Sequence, residues 1–416
     1  MIRQDSILRQ PMFFRFCVGD VATQLGSAVM IVLIPLVAVT HLDASEFEVG
    51  LLSACERLPF LLFSLMAGVS ADQKERRALL LCASFIRCLL LWGLMLLAIG
   101  GSLSITAMAG MVFLIGTANV YFEVTYWTYV PALLPAQQLA RGNGALAAIA
   151  GASEFAGPAL GGLLLKWLSV AGAFFVNGVP FLLGWVAMLA LPKYQMKHSP
   201  SQGSASSLTK IRQGFHTLIY RPILRRLVII ATLWNMLASA ATPQIVVYLT
   251  QGVGITTERV GMVLGIQGLG GLLGAVLAGR LEERLGTGRA ILLSGISYGL
   301  FNLLMTLIDQ ASTSHQMMIG GCLFFAGLSS SVGVVNTLSL RQRACPPELL
   351  GRVNASFRFL TWGIMPPAAL FGGLISQFSG SRVFIALAGL AGIILLLLGW
   401  RKSRMLLEGQ QASASK

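Results

Sequence analysis

Four acidic residues lie inside long apolar segments of this sequence, where a carboxylate can do chemistry that it does not do in water. They are Asp20, Glu56, Glu123 and Glu154, and all four fall in the first half of the chain. An ionisable group at the centre of a bilayer costs at least about 2.5 kcal/mol, so such residues usually serve a function. A carboxylate that is exposed in turn to two compartments can load and release a proton. We expect Glu154 and Asp20 to be the leading proton carriers, ahead of Glu123 and Glu56.

Two arginines, Arg57 and Arg87, accompany these carboxylates within the apolar segments. Asp20, Arg87 and Glu123 fall at a similar depth, so a structural ion-pair cluster is the alternative to a proton site. Glu56 and Arg57 are neighbours on a helix and point about 100° apart, so only one of them can face a central cavity squarely.

The second half offers polar rather than acidic candidates for a substrate cavity. They are Arg358 and the uncharged residues Asn235, Gln244, Gln267, Asn302 and Asn336. Tryptophan, phenylalanine and methionine side chains lie near them in the sequence and add soft, apolar surface. A wide apolar cavity with few fixed polar groups suits amphiphilic molecules better than sugars or amino acids, which need many placed hydrogen-bond donors.

The elements that position these residues are membrane spans. The chain of 416 residues is 55% hydrophobic and only 11% charged, which is too little polar surface for a water-soluble globule of this size. About 20 apolar residues of helix cross a bilayer, and backbone amides in lipid must be satisfied within the segment. The sequence predicts twelve helical spans near residues 13–40, 47–70, 78–99, 104–129, 143–165, 170–191, 223–250, 258–280, 289–308, 315–340, 352–377 and 381–400.

The distribution of basic residues predicts the orientation. If the N-terminus is cytoplasmic, only Lys166, Arg259 and Arg382 among the loop residues fall on the opposite side. Such a bias fixes both termini in the cytoplasm. The formal net charge of +14 is therefore interpreted as membrane topology and not as a nucleic-acid-binding surface.

The spans form two related halves. A polar linker over residues 192–222 separates six spans in residues 1–191 from six in residues 223–400, and a tail over 401–416 follows. Several residues recur 211 positions later without a gap, including the pairs Gly50 and Gly261, Gly116 and Gly327, Asn143 and Asn354, and Gly161–Gly162 and Gly372–Gly373. Because six spans return the chain to its starting side, this is a parallel repeat of two six-helix bundles.

The loop after the second span carries the first family resemblance. Its sequence, from Gly68 through Asp72 to Arg76 and Arg77, resembles the signature loop of the major facilitator superfamily, although Gln73 and Glu75 depart from the usual pattern. The resemblance covers essentially the whole chain and implies the major facilitator fold. It also implies that Asp72 and the two arginines form a charged latch, whereas a helix cap with membrane anchors is the structural alternative.

The fifth span carries the second resemblance. Gly157, Pro158, Gly161 and Gly162 are similar to the Gly-Pro element of drug/proton antiporters, and residues 129–143 resemble the branch of macrolide-efflux and enterobactin exporters. The resemblance implies proton-coupled export of an amphiphilic antibiotic, siderophore or other secondary metabolite. It further implies a monomeric, multi-pass protein of the bacterial inner membrane. Ordinary packing of small residues is the structural alternative for this element.

Other classes of protein lack support in the residues. The sequence has no nucleotide-binding loop of the form G-x-x-x-x-G-K-(S/T), no Cys-x-x-Cys pair and no histidine inside a span. We therefore expect no enzyme activity, no cofactor and no metal site. A lipid flippase or facilitator, an uptake symporter of the same superfamily, and a membrane-embedded enzyme or sensor are the alternatives that remain.

Overall fold

A computed structural model of the protein describes residues 10–134, 138–192, 207–346 and 349–414. The regular structure of these residues is helical, apart from turns and loops. The helices are α1 (Pro11–His41), α2 (Glu46–Gln73), α3 (Arg76–Ile99), α4 (Ile105–Leu133), α5 (Leu139–Trp167), α6 (Val170–Leu189), α7 (Ser207–Tyr220), α8 (Pro222–Val247), α9 (Thr257–Leu285), α10 (Thr287–Met305), α11 (Thr313–Ala344), α12 (Leu350–Gly363), α13 (Met365–Ser379) and α14 (Ser381–Ala414).

Most of these helices are built to cross a bilayer. Within the described ranges, 11 helical segments are long and apolar enough to span a membrane, and a shorter apolar helix, Ser381–Leu397, completes the series. Large apolar side chains such as Leu65, Ile99 and Phe378 are exposed on helix surfaces. A helix satisfies its own backbone amides, so these surfaces can face lipid. The all-helical membrane fold predicted from the sequence is confirmed.

Serine residues mark where several spans begin. Ser45 and Glu48 form a reciprocal capping box at the start of α2. The hydroxyl groups of Ser104, Ser169 and Ser312 accept backbone N–H groups at the starts of α4, α6 and α11. These caps satisfy donors that the first helical turn leaves free, so the chain enters each of these helices at a defined residue.

The chain divides into two compact units. Unit 1 comprises Met1–Gln202 with Thr256–Gly265, and unit 2 comprises Gly203–Ile255 with Ile266–Lys416. In unit 1, α1 packs against α5 and α6, and α3 packs against α4 and α6. In unit 2, α8 packs against α13 and α14, and α10 packs against α11 and α14. Each unit thus uses the same set of helix pairs in the same chain order.

Close backbone contacts repeat at the offset of 211 residues. A Cβ atom on Gly116 would overlap the carbonyl oxygen of Glu56, and one on Gly327 would overlap the carbonyl oxygen of Gln267. Both pairs of positions are related by the same offset. Only glycine fits where two helix backbones approach this closely. The internal repeat read from the sequence is therefore also present in the packing of each unit.

A second pair of contacts follows the same rule. A Cβ atom on Gly161 would lie 3.2 Å from the carbonyl oxygen of Val29, and one on Gly372 would lie 2.7 Å from the carbonyl oxygen of Ala240. Val29 and Ala240 are again related by the offset of 211. In each unit the first span is therefore pressed against the fifth at an equivalent point.

Two features of unit 2 differ from the expectation. The predicted span over 352–377 consists of two helices, α12 and α13, that meet at Ile364. Pro366 and Pro367 follow at once, and proline has no N–H with which to continue the helical hydrogen bonds. The predicted linker contains a helix, α7, whose Leu218 is buried and whose Gly214 lies against the backbone of α12 at Arg352.

Candidate functional site

Asp20 lies at the centre of a buried polar cluster in unit 1. Its side chain, on α1, is fully buried. The hydroxyl group of Tyr126 on α4 donates to Oδ2 of Asp20 at 3.0 Å, whereas Oδ1 has no hydrogen-bond partner among the described residues. The Tyr126 ring packs on Phe16, with ring centroids 5.1 Å apart. Tyr126 thus holds Oδ2 of the carboxyl group, and Gln24, one turn further along α1, is the other polar side chain beside it.

Arg87 forms a separate cluster beside α4. Its guanidinium lies over the rings of Phe122 and Phe181, 4.2 and 4.7 Å from their centroids. It donates to Oδ1 of Asn119 at 3.1 Å. An ion-pair cluster of Asp20, Arg87 and Glu123 was the structural alternative to a proton site, and within the described residues Asp20 and Arg87 do not pair with each other. Aromatic faces and an amide oxygen stabilise the cation instead.

Sequence reasoning overlooked Asn119 and Tyr126, which hold the two buried charges. Together with Glu123 they recur on α4 at spacings of four and three residues. Residues at these spacings share one helix face, so this periodicity inside an apolar span was the signal. Glu123 itself is half-buried on that helix.

The other predicted carboxylates are more open. Glu56 and Arg57 are both half-buried on α2, and the backbone of Glu56 forms the close contact with Gly116. Glu154 is exposed on α5. These positions do not bring Glu154 into the buried Asp20–Tyr126 cluster, so the two leading proton-carrier candidates occupy different environments.

The signature-loop arginines bind backbone carbonyl groups. Arg76 is buried and donates to the carbonyl oxygens of Thr128 at 2.8 Å and Ala71 at 3.2 Å. Arg77 donates to the carbonyl oxygen of Leu189 at the end of α6. The loop thereby ties the start of α3 to the ends of α2, α4 and α6. A buried Arg76 does not fit the structural alternative, in which the arginines are membrane-surface anchors.

Asp72 and Gly68 are the other two residues of the signature loop. The side chain of Asp72 lies outside the described residues. A Cβ atom on Gly68 would meet nothing within 4 Å, so the close approach of α2 to α4 occurs at Gly116 and not at this glycine.

The Gly-Pro element packs α5 closely against α1. A Cβ atom on Gly157 would overlap Ala28 of α1. Gly161 lies against Val29 one turn further, and Gly162 lies against Gly261 within unit 1. Pro158 sits inside α5 between these glycines. The element thus acts as a packing surface of small residues, which is compatible with both interpretations drawn from the sequence.

Unit 2 contains a cavity of about 280 Å³. It is lined by α8, α10, α11, α12 and α14, and its polar groups include Asn235, Arg341 and Arg358. Aromatic walls come from Trp234 and Trp362. Two predicted cavity residues, Asn235 and Arg358, therefore line one space, and Arg341 joins them although the sequence analysis did not select it.

The remaining cavity candidates lie elsewhere in unit 2. Gln244, Asn302 and Asn336 are buried and do not line this cavity. The amide nitrogen of Asn336 donates to the carbonyl oxygen of Val332 at 2.9 Å, as part of helix packing. Gln267 is half-buried at the close contact with Gly327. Their expected role in binding substrate has no support from these positions.

Groups of three or more histidine, cysteine or acidic residues that could hold a metal ion are absent from the part of the chain that the structure describes.

Comparison with known proteins identifies a family. A sequence model of the Major Facilitator Superfamily matches residues 16–369. The chain is 23% identical over 400 residues to the uncharacterized MFS-type transporter YfiS of Bacillus subtilis (strain 168), covering 91% of this chain and 89% of the relative. It is 25% identical over 374 residues to the enterobactin exporter EntS of Escherichia coli O6:K15:H31 (strain 536 / UPEC), covering 87% of this chain and 84% of the relative.

Solved structures show the same fold. The crystal structure of the nucleoside transporter NupG matches with a TM-score of 0.74 and 11% identity, covering 94% of this chain and 99% of that chain. A bacterial homologue of the iron transporter ferroportin, in an inward-facing state, matches with a TM-score of 0.73 and 17% identity, covering 96% and 99%. At these identities the likeness concerns architecture alone.

Proposed function

We propose, from the premise that this chain belongs to the Major Facilitator Superfamily, that it exports amphiphilic small molecules across the bacterial cytoplasmic membrane. Membership makes it a multi-pass secondary transporter and not an enzyme. The proposed mechanism is proton-coupled alternating access by a monomer with both termini in the cytoplasm. The observation that carries the proposal is the fully buried Asp20 carboxyl group, which accepts a hydrogen bond from Tyr126 and has no cationic partner among the described residues.

Proton coupling is supported by the chemistry of this carboxyl group. A protonated carboxyl group is a donor as well as an acceptor, whereas the ionised form only accepts. Because Tyr126 contacts Oδ2, Oδ1 of Asp20 can take a proton without breaking that contact. The guanidinium of Arg87 contacts Asn119 and two aromatic rings and does not pair with Asp20. Arg87 therefore does not hold Asp20 permanently in its ionised form.

Export, rather than uptake, is supported by two independent similarities. The small-residue surface of Gly157 and Gly161 against α1 lies in the element that resembles drug/proton antiporters. The curated relatives include an enterobactin exporter. A siderophore or an antibiotic is therefore the substrate type that we propose. A lipid flippase, a facilitator and an uptake symporter are the competing outcomes.

An everted-vesicle assay tests this proposal. Vesicles from cells expressing the chain would be energised by respiration, and their acidic interior would be followed by quenching of an acridine dye. Addition of a transported compound should release protons and restore fluorescence. A suitable panel contains erythromycin as a cation, novobiocin as an anion and enterobactin as a siderophore.

The proposed function requires that at least one compound restores fluorescence in vesicles with the chain and not in vesicles without it. Vesicles in which the chain is inserted but no compound restores fluorescence would contradict proton-coupled export. Right-side-out vesicles that take up a panel member along with protons would instead support the uptake alternative.

A further inference from the structure

Helix α7 is held against the ends of three membrane spans of unit 2. A Cβ atom on Gly214 of α7 would lie 2.6 Å from the carbonyl oxygen of Arg352, where the span Arg352–Ser379 begins. Arg221, the residue after α7, donates to the carbonyl oxygen of Ala344 at 3.1 Å, where the span Thr313–Ala344 ends. The span that contains α8 begins at Pro222, the next residue. The second half of α7 is thus fixed to residues at which spans begin or end.

These three span ends belong to one face of the membrane. Four spans lie between Pro222 and Ala344, and an even number of crossings returns the chain to the side from which it started. Only a short connection separates Ala344 from Arg352. Because α7 is held at this level from Gly214 to Arg221, it runs along the surface of the bilayer and does not project away from it.

The end of α7 exposes apolar side chains at this surface. Thr217 and Leu218 are buried, whereas Ile219 is 52% and Tyr220 is 71% exposed. Both exposed residues lie within three positions of Pro222, and a helix rises only about 1.5 Å per residue. They therefore lie at the depth of the lipid headgroups, where tyrosine places an apolar ring and a polar hydroxyl group favourably.

The charge around α7 has one sign. The sequence contains no acidic residue between Glu154 and Glu258, whereas residues 193–226 include seven lysines and arginines. Arg221 and Arg225 are exposed. The ion pairs formed within the described ranges do not include Arg225. A cluster of basic residues next to a membrane span attracts the phosphate groups of anionic lipids.

The fold does not require a cation at position 225. At the offset of 211 residues, Arg225 corresponds to Phe14 of α1, which is 50% exposed. Ile229, one turn after Arg225, corresponds to Val18, and both of these side chains are also exposed. Unit 1 thus places an apolar residue where unit 2 places an arginine, so this charge is an addition to the repeated scaffold.

We propose that α7 is an interfacial helix and that Ile219, Tyr220, Arg221 and Arg225 together bind an anionic phospholipid such as phosphatidylglycerol. The two apolar side chains contact the upper part of the lipid, and the two arginines bind its phosphate. A lipid is favoured over an acidic protein because the adjoining spans place this surface in the headgroup layer. The inference goes beyond the proposed function and does not depend on the direction of transport.

Native mass spectrometry of the full chain tests this surface. The delipidated protein in a non-ionic detergent would be titrated separately with phosphatidylglycerol and with phosphatidylcholine of the same acyl chains. The dissociation constant of the first bound lipid would be measured in each titration. We expect phosphatidylglycerol to bind about tenfold more tightly, because its headgroup carries a net negative charge and that of phosphatidylcholine does not.

Substitutions separate the charged from the apolar contribution. Arg225→Gln should lower the preference for phosphatidylglycerol to about twofold, and Arg221→Gln should act in the same direction. The melting temperature of the Arg225→Gln protein should stay unchanged, since this side chain forms no ion pair within the described ranges. Replacing Ile219 and Tyr220 together by serine should weaken the binding of both lipids and leave the preference in place.

A charge-matched control separates a defined site from a general effect of basic residues. Arg284 and Arg289 are exposed, flank the turn between α9 and α10, and lie at the same membrane face as Pro222. The double variant Arg284→Gln and Arg289→Gln should keep the preference for phosphatidylglycerol within about twofold of the wild-type value.

Four results would overturn the inference. Equal affinity of the wild-type protein for both lipids is the first, and an equal loss of preference in the control variant is the second. Loss of both lipids together with a lower melting temperature in Arg225→Gln would make this arginine structural. Tighter binding of a soluble polyglutamate peptide than of phosphatidylglycerol would make an acidic protein the partner.

Discussion

Arg76 and Thr287 occupy equivalent positions in the two halves, yet they form different connections. Buried Arg76, at the start of α3, donates to carbonyl oxygens of α2 and α4. Thr287, at the start of α10, donates to the carboxylate of Glu282 on α9 at 2.7 Å. Glu282 also forms an ion pair with Arg343 of α11. In both halves these contacts connect the second, third and fourth spans. The arginine belongs to the third span in the first half and to the fourth span in the second half.

This difference predicts unequal stability effects. Arg76→Ala should destabilise the protein by about 1.5–3 kcal/mol, because buried carbonyl groups lose a charged donor. Arg343→Ala should cost at most about 1 kcal/mol, because its side chain is largely exposed and the pair is screened by solvent. Thermal unfolding can be followed with a thiol-reactive dye in a Cys82→Ser background, since Cys82 is exposed whereas Cys17 and Cys88 are buried and become reactive on unfolding. Equal shifts in melting temperature would contradict this assignment.

Glycine substitutions test the repeated helix contacts. Gly116→Ala and Gly327→Ala each place a methyl group on a backbone carbonyl oxygen, and overpacking of this kind costs about 1–3 kcal/mol. Gly110→Ala on α4 and Gly321→Ala on α11 are matched controls, because a Cβ atom there meets nothing within 4 Å. The yield of monodisperse protein and its melting temperature should fall for the first pair only. Tolerance of Gly116→Ala and Gly327→Ala would mean that these helices can separate freely.

The sequence repeat predicts some of the packing contacts but not the partners of the buried charges. It identifies Gly116 and Gly327 as equivalent, and their contacts with Glu56 and Gln267 confirm the equivalence in three dimensions. It does not predict the partner of Arg87, because aromatic faces and Asn119 compete with carboxylates for a guanidinium and the choice depends on geometry. It also does not predict α7, since the polar composition of the linker conceals a helix that is held by packing on α12.

Neutralising the two leading carboxylates should identify the proton carrier. We expect Asp20→Asn or Glu154→Gln to abolish efflux driven by an imposed pH gradient in proteoliposomes while downhill exchange remains measurable. Either substitution removes the titratable group and keeps its volume. Asp43→Asn, in an exposed loop, serves as the control. If both single variants and the double variant still pump uphill, the coupling site lies at Glu56 or Glu123, or protons do not drive transport.

The latch role of Asp72 can be separated from a capping role. We expect Asp72→Asn to cripple transport and to leave membrane insertion intact, because the change removes charge but almost no volume. Glu75→Gln is the control in the same loop, since Glu75 precedes α3 without a side-chain capping bond. Insertion can be measured by surface labelling and transport by the everted-vesicle assay. Normal transport by well-inserted Asp72→Asn protein would leave only the capping role.

The interruption between α12 and α13 has a mechanical consequence. Arg358 and Trp362, which line the cavity, lie on α12, and the break at Ile364 follows within two turns. A continuous helix transmits a displacement along its whole length, whereas a jointed one confines it. A displacement of α12, if transport requires one, can therefore be absorbed at Ile364. Gly372 of α13 lies in close contact with Ala240 of α8. The packing of α13 on α8 can then stay unchanged while α12 moves.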